Sequence, residues 1–149
     1  MADKEVSLRE VTRDTLGTIL NLKVAASQEC FVASNAKSIA QAHFYPETAW
    51  FRGIYAGDDA VGFIMLEINI DKPEYGLWRF MIDERHQGRG YGRAAIGKAI
   101  AHVRAQPGAV ELLTSVVPGE GSPGPFYQKL GFAFTGEVDA GEQVMRLIL

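Results

Sequence analysis

Ile82-Asp83-Glu84-Arg85-His86-Gln87-Gly88-Arg89-Gly90-Tyr91-Gly92-Arg93 joins a stretch of strand character to a strongly amphipathic one. Before it, residues 75–83 read as an apolar strand. After it, residues 91–105 place Ile96, Ala99, Ile100 and Val103 on one face at helical spacing. In between, Gly88, Gly90 and Gly92 let the backbone adopt positive φ and approach a ligand closely. The helix that begins here aims its free N–H groups back into the loop, which makes an anion site. Arg89 and Arg93 stand at the positive end of that helix, which costs roughly 0.3–1 kcal/mol each unless an anion joins them. Arg85 adds a third cation nearby. A chain of net charge −3 has thus gathered arginine where its helix least tolerates it, and a bound phosphate group resolves the conflict. The competing reading is a glycine-rich turn whose arginines point into solvent.

Two other phosphate-binding arrangements fail on the same residues. Gly90-Tyr91-Gly92-Arg93-Ala94-Ala95 fits the G-x-G-x-x-A of dinucleotide sites. That fold needs an acidic residue about 20 positions on, at the end of the next strand. Here Glu111 opens the next strand, and the strands before the loop are antiparallel. The nucleotide-triphosphatase loop is absent, since no Gly-Lys-Ser/Thr follows.

Outward from the loop, residues 50–56, 60–70 and 75–83 read as three strands joined by Gly57-Asp58-Asp59 and Asp71-Lys72-Pro73-Glu74, an antiparallel meander. Residues 6–11 read as a first strand. Thr12 or Asp14 caps a helix carrying Leu16, Ile19, Leu20 and Lys23, and Ser34 or Asn35 caps a second over residues 37–44. Pro107-Gly108 ends the long helix, and residues 110–117 form a buried strand parallel to residues 75–83. A Gly/Pro-rich loop leads to a short helix over 125–130, with Gly131 as its αL cap. Residues 132–137 and 143–149 close the chain as a hairpin. The expectation is one α/β (α+β) domain over residues 1–149, with a mixed, mainly antiparallel sheet of about seven strands and helices on both faces.

Composition sets the class. The 149 residues are 47% hydrophobic and 22% charged, enough to bury a full core. The acidic balance argues against nucleic acid as partner. No apolar run reaches the roughly 20 residues of a membrane span, and the first five residues lack a leader's apolar core. A single cysteine, Cys30, forbids an internal disulfide. These features lead us to expect a cytoplasmic protein. His43, His86 and His102 lack metal-ligand spacing, so no metal is expected.

Two motifs carry a family resemblance. Gln87-Gly88-Arg89-Gly90-Tyr91-Gly92 is similar to the Q/R-x-x-G-x-G/A signature of the GNAT superfamily of N-acetyltransferases, and Phe126-Tyr127-Gln128-Lys129-Leu130-Gly131-Phe132 is similar to its closing F-Y-x-K-L-G-F. The order of elements agrees along nearly the whole chain. Gln28 with Phe31-Val32-Ala33, and Arg79-Phe80-Met81-Ile82-Asp83, resemble bacterial spermine/spermidine-type acetyltransferases. One departure stands out: where some polyamine acetyltransferases carry an acidic residue on the strand before the loop, this chain has Trp78 or Arg79.

The resemblance implies an acetyl-coenzyme A-dependent transfer to a primary amine of a small molecule, with a polyamine as a candidate. Main-chain groups of Phe80, Met81 and Ile82 would pair with the pantetheine arm. Loop amides from Gln87 through Gly88, Arg89, Gly90, Tyr91 and Gly92, extended to Arg93, would hold the pyrophosphate. N–H groups near Met81 and Ile82 would polarise the thioester carbonyl. Tyr127 matches the family's general acid towards the sulfur; its other reading is an aromatic that packs the short helix on the sheet. Glu67, on a face with Val61, Phe63 and Met65 by alternation, is either a base for the amine or a solvent-facing strand residue. Glu29 attracts a cationic amine or is a surface carboxylate, and Trp78 faces an ammonium group or is core. A peptide N-acetyltransferase and a non-catalytic acyl-coenzyme A sensor are the alternatives. A homodimer formed through the last strand is also compatible with the family.

Overall fold

The computed structural model describes residues 4–149, so the first three residues of the segment read for a leader lie outside the described residues. In chain order the elements are β1 (Val6–Arg9), α1 (Leu16–Leu20), α2 (Asn35–Ala42), β2 (Ala49–Ala56), β3 (Asp59–Asn69) and β4 (Glu74–Ile82), then α3 (Tyr91–Arg104), β5 (Glu111–Val116), α4 (Gly124–Lys129), β6 (Ala133–Asp139) and β7 (Glu142–Ile148). The strands make one seven-stranded sheet in the order β1-β2-β3-β4-β5-β7-β6. Every pairing is antiparallel except β4 with β5. No helix among the described residues is long and apolar enough to cross a membrane.

The sheet separates two apolar layers. On one face α3 lays Ala95, Ile96, Ala99 and Val103 against Ile64, Leu66, Leu112 and Met145. On the other, α1 and α2 contribute Ile19 and Ala42 to a cluster with Phe63, Met65 and Met81. The centre is dry: Phe63, Ile64, Met65 and Leu66 on β3 are all 0% exposed. Full burial of such side chains contributes about 1.5–3 kcal/mol each. The helices are thereby fixed relative to β4, the strand that leads into the glycine loop.

Local chemistry explains most boundaries. The Ser34 hydroxyl accepts from Lys37 N–H at 3.1 Å and starts α2. Thr15, rather than Thr12 or Asp14, is the N-cap of α1. Thr12 instead lends its carbonyl to Leu16 N–H at 2.9 Å. That helix also stops at Leu20, short of Lys23. A 3-10 turn, Ala26–Phe31, follows where no element was expected. Ala140 and Gly141, at φ 51 and 81, supply the left-handed pair that a two-residue β6–β7 hairpin turn needs.

Two register shifts break the expected alternation. Pairing steps from Ile54↔Gly62 to Tyr55↔Ala60, leaving Val61 as an extra residue on β3. Val61 therefore packs on the α3 side, opposite Phe63 and Met65. On β4 the step from Met65↔Arg79 to Leu66↔Leu77 leaves Trp78 extra. The last strand, β7, is hydrogen-bonded on both sides, by β5 and β6. The sheet edge on that side belongs to β6, not to the last strand.

Candidate active site

β4 and β5 pair only at Gly76↔Leu113 and Leu77↔Thr114. The Thr114 hydroxyl pins the junction by donating to Leu77 O at 3.1 Å. Beyond it the strands part, and the rest of β4 has no strand neighbour on that side. The opening is a cleft of about 870 Å³, walled by Trp78 through Ile82, the glycine loop, α4 and the 3-10 turn Ala26–Phe31. Phe80, Met81 and Ile82 all line it.

At one end lies the glycine loop. Gly88 and Gly90 adopt φ 78 and 83, and a Cβ at either would meet nothing within 4 Å. Their freedom is conformational, and the space above them is open. Gly92 has a different reason. A Cβ there would stand 3.2 Å from Phe80 Cζ and 3.5 Å from Phe126 Cζ, so its absence lets α3 start against these rings. The first residue past the loop to donate its N–H within the helix is Ala94, to Gly90 O at 3.1 Å. The N–H groups of residues 88–93 find no acceptor among the described residues, and they sit at the positive end of a 14-residue helix.

The arginines divide their work. Arg93 lines the cleft and Arg89 is exposed outside its wall. Arg85 is not the third anion-facing cation that the sequence suggested. Its Nε and Nη2 donate to Asp83 at 2.8 and 3.4 Å. Asp83 is 2% exposed and also accepts from Lys23 N–H at 2.9 Å and Arg85 N–H at 3.0 Å. Burial alone would raise its pKa, but the Arg85 side chain and the two backbone donors outweigh it and hold the carboxyl below its usual range. The Gln87 side chain also turns inward. Its Nε2 donates to Ile82 O at 2.9 Å and to Gln28 Oε1 at 2.8 Å.

Tyr127 packs the short helix and also reaches the cleft. It packs edge-on against Phe126 and Phe132, with ring centroids at 5.4 and 5.5 Å. It also lines the cleft. Its hydroxyl has no hydrogen-bond partner among the described residues, yet Arg79 Nε is the one fully buried side-chain nitrogen or oxygen left unpaired there. The phenol oxygen therefore keeps contact with the open space of the cleft. Burial pushes its pKa well up, so the group is neutral at any physiological pH.

The acceptor candidates separate. Glu29, on the 3-10 turn, and half-buried Trp78 both line the cleft. Glu67 does not. It faces a separate depression of about 300 Å³ with Glu74 and Glu111. Partial burial, then the charge of Glu74, raises its pKa there. The structure brings Glu67 together with neither Tyr127 nor the glycine loop.

Three cleft residues were not singled out for the site from sequence. Arg79 donates to Trp78 O at 3.0 Å and to Gln41 Oε1 at 2.9 Å, and burial lowers its pKa against the pull of Glu142. Ser115 donates to Glu142 Oε1 at 3.2 Å. Glu142 reads as a polar turn residue in the sequence, and only the insertion of β7 beside β5 carries it to the cleft.

The comparisons agree with this geometry. A spermine/spermidine N(1)-acetyltransferase of Bacillus subtilis (strain 168) is 31% identical over 150 aligned positions, covering 94% of this chain and 96% of the relative. Among solved structures, an acetyltransferase from Thermus thermophilus superposes with a TM-score of 0.77 at 19% identity, with 100% of both chains covered. The PaiA N-acetyltransferase of Thermoplasma acidophilum, in complex with coenzyme A, does so at 0.74 and 16%, covering 97% of this chain and 99% of its own. The acetyltransferase (GNAT) family profile matches residues 18–132, and the chain belongs to that family.

Proposed function

We propose that this acetyltransferase moves the acetyl group of acetyl-coenzyme A directly to a primary amine of a small molecule, and that the amine is a polyamine of the spermidine or spermine kind. The observation that carries the first half is the parting of β4 from β5 beside a loop of unpaired amides. An extended thioester arm can occupy the free edge of β4 while its pyrophosphate meets the N–H groups of residues 88–93. The relatives named for spermine and spermidine support the second half. So do two carboxylates on the cleft wall, Glu29 and Glu142.

The amine nitrogen attacks the thioester carbonyl carbon, the C–S bond breaks, and the nitrogen loses one proton while the sulfur gains one. Main-chain N–H groups near Met81 and Ile82 stabilise charge on the carbonyl oxygen. Tyr127, neutral and open to the cleft, presents its proton to the leaving sulfur and is restored by the proton that the nitrogen releases, carried by solvent in the cleft. Glu29 and Glu142 hold the cationic remainder of the acceptor. Glu67, facing the other depression, takes no part in this scheme. Phosphates on the cofactor supply the anion that Arg93 awaits at the helix N-terminus.

The test is product identification by mass after incubation with acetyl-coenzyme A and a panel of spermidine, spermine, diamines, amino acids and short peptides. Singly acetylated polyamine is the expected product. Acetylated peptides or amino acids alone would refute the polyamine half and keep the transferase. Cofactor binding without any acetylated product would refute both and favour an acyl-coenzyme A sensor.

A further inference from the structure

The 3-10 turn Ala26–Phe31 forms the wall of the cleft that carries Glu29, and none of its residues is buried. Such a segment gains little from the apolar core, so its order depends on polar ties. Its approach is fastened by Lys23, whose N–H donates to Asp83 Oδ2 at 2.9 Å and whose carbonyl accepts from Glu84 N–H at 2.8 Å. At its far end Phe31 lies beside Gly121, within 3.6 Å of where a Cβ would stand. The middle is held by one side chain. Gln28 Oε1 accepts from Ala25 N–H at 3.1 Å, capping the turn, and from Gln87 Nε2 at 2.8 Å. Gln28 Nε2 reaches back to Gln87 Oε1 at 3.4 Å. Gln87 is in turn locked to Ile82 O at the end of β4.

We propose that Gln28 is a positioning residue: its amide pair with Gln87 transmits occupancy of the glycine loop to the wall that carries Glu29. The inference rests on the reading of residues 88–93 as the cofactor loop. A cofactor that fixes those amides also fixes Gln87, which precedes them directly, and a fixed Gln87 holds Gln28 and its turn. The acceptor wall is then ordered once acetyl-coenzyme A is in place. By linkage, an ordered wall raises cofactor affinity by the same factor.

Hydrogen exchange of the full chain with and without coenzyme A tests this without an acceptor. In the wild type, coenzyme A slows exchange both in residues 88–93 and in residues 26–31, the latter by about tenfold, the scale of a typical coupling. Gln28→Ala retains the first effect and loses the second. Gln28→Glu keeps both accepted hydrogen bonds and restores it. Persistent slowing of residues 26–31 in Gln28→Ala overturns the proposal, as does its absence in a wild type whose loop is protected. No protection of residues 88–93 in the wild type overturns the cofactor-loop reading and this inference together. A purely structural role for Gln28 would speed exchange in residues 26–31 equally with and without coenzyme A, and that result also refutes it.

Discussion

Replacing Asp83 with alanine removes the clamp between the end of β4 and the segment that leads to the acceptor wall. The carboxylate is 2% exposed and accepts from Lys23 N–H, from Arg85 N–H and from the Arg85 guanidinium. A hydrogen bond to a charged group contributes about 1.5–3 kcal/mol, and the lost cap on the turn after β4 about 1 kcal/mol more. The Arg85 side chain is 68% exposed, so its ion pair is screened and adds nothing to this sum. The total, about 2.5–4 kcal/mol, is a large share of a typical domain's 5–15 kcal/mol. With a urea slope of about 2 kcal/mol per M, the unfolding midpoint falls by about 1–2 M. Asp83→Asn keeps one acceptor oxygen and loses about half as much. The pH dependence follows from the depressed folded pKa. The stabilisation is complete above the ordinary carboxylate range and is lost as pH falls through the folded value. The gap between wild type and variant therefore closes on acidification. An unchanged midpoint at neutral pH, or a gap of the same size in acid, would refute the reasoning.

Tyr127→Phe leaves unfolding midpoint and cofactor affinity unchanged, because the hydroxyl has no partner among the described residues, but lowers kcat by about 10²–10⁴-fold in steady-state assays. Arg85→Gln leaves coenzyme A titrations unchanged, since its guanidinium faces Asp83 and not the cleft; weakened cofactor binding would contradict that assignment. Gly62→Ala puts a methyl onto Met81 O between β3 and β4, costs about 1–3 kcal/mol in urea melts, and weakens coenzyme A binding by displacing the strand that lines the cleft. Glu29→Gln raises KM for a polyamine while kcat holds, measured by initial rates across amine concentrations.

Much of this molecule was legible before any coordinates. The long helix was plain from the spacing of Ile96, Ala99, Ile100 and Val103, all on its inward side. The meander was plain from its turns, and the junction of strand and long helix from the three glycines between them. What failed did so where pattern and packing part company. Alternation cannot show that Val61 and Trp78 are extra residues, since a bulge is set by how neighbouring strands pair. Periodicity finds a segment by its buried face, and Ala26–Phe31 has none. Arg85 looked free because its partner, Asp83, two residues away, reads as the polar end of a strand. Glu67 reads equally well on either side of a sheet until its pocket is known. Glu142 reached the cleft only because β7 inserts between β5 and β6, a strand order that local sequence does not encode.

The central claim is tested most directly by the initial rate of thiol release from acetyl-coenzyme A with spermidine present and absent. The expected result is release that depends on the amine, saturates in both substrates, and matches acetylated spermidine mole for mole. Release at the same rate with and without amine, alongside undiminished binding of acetyl-coenzyme A, would contradict the account.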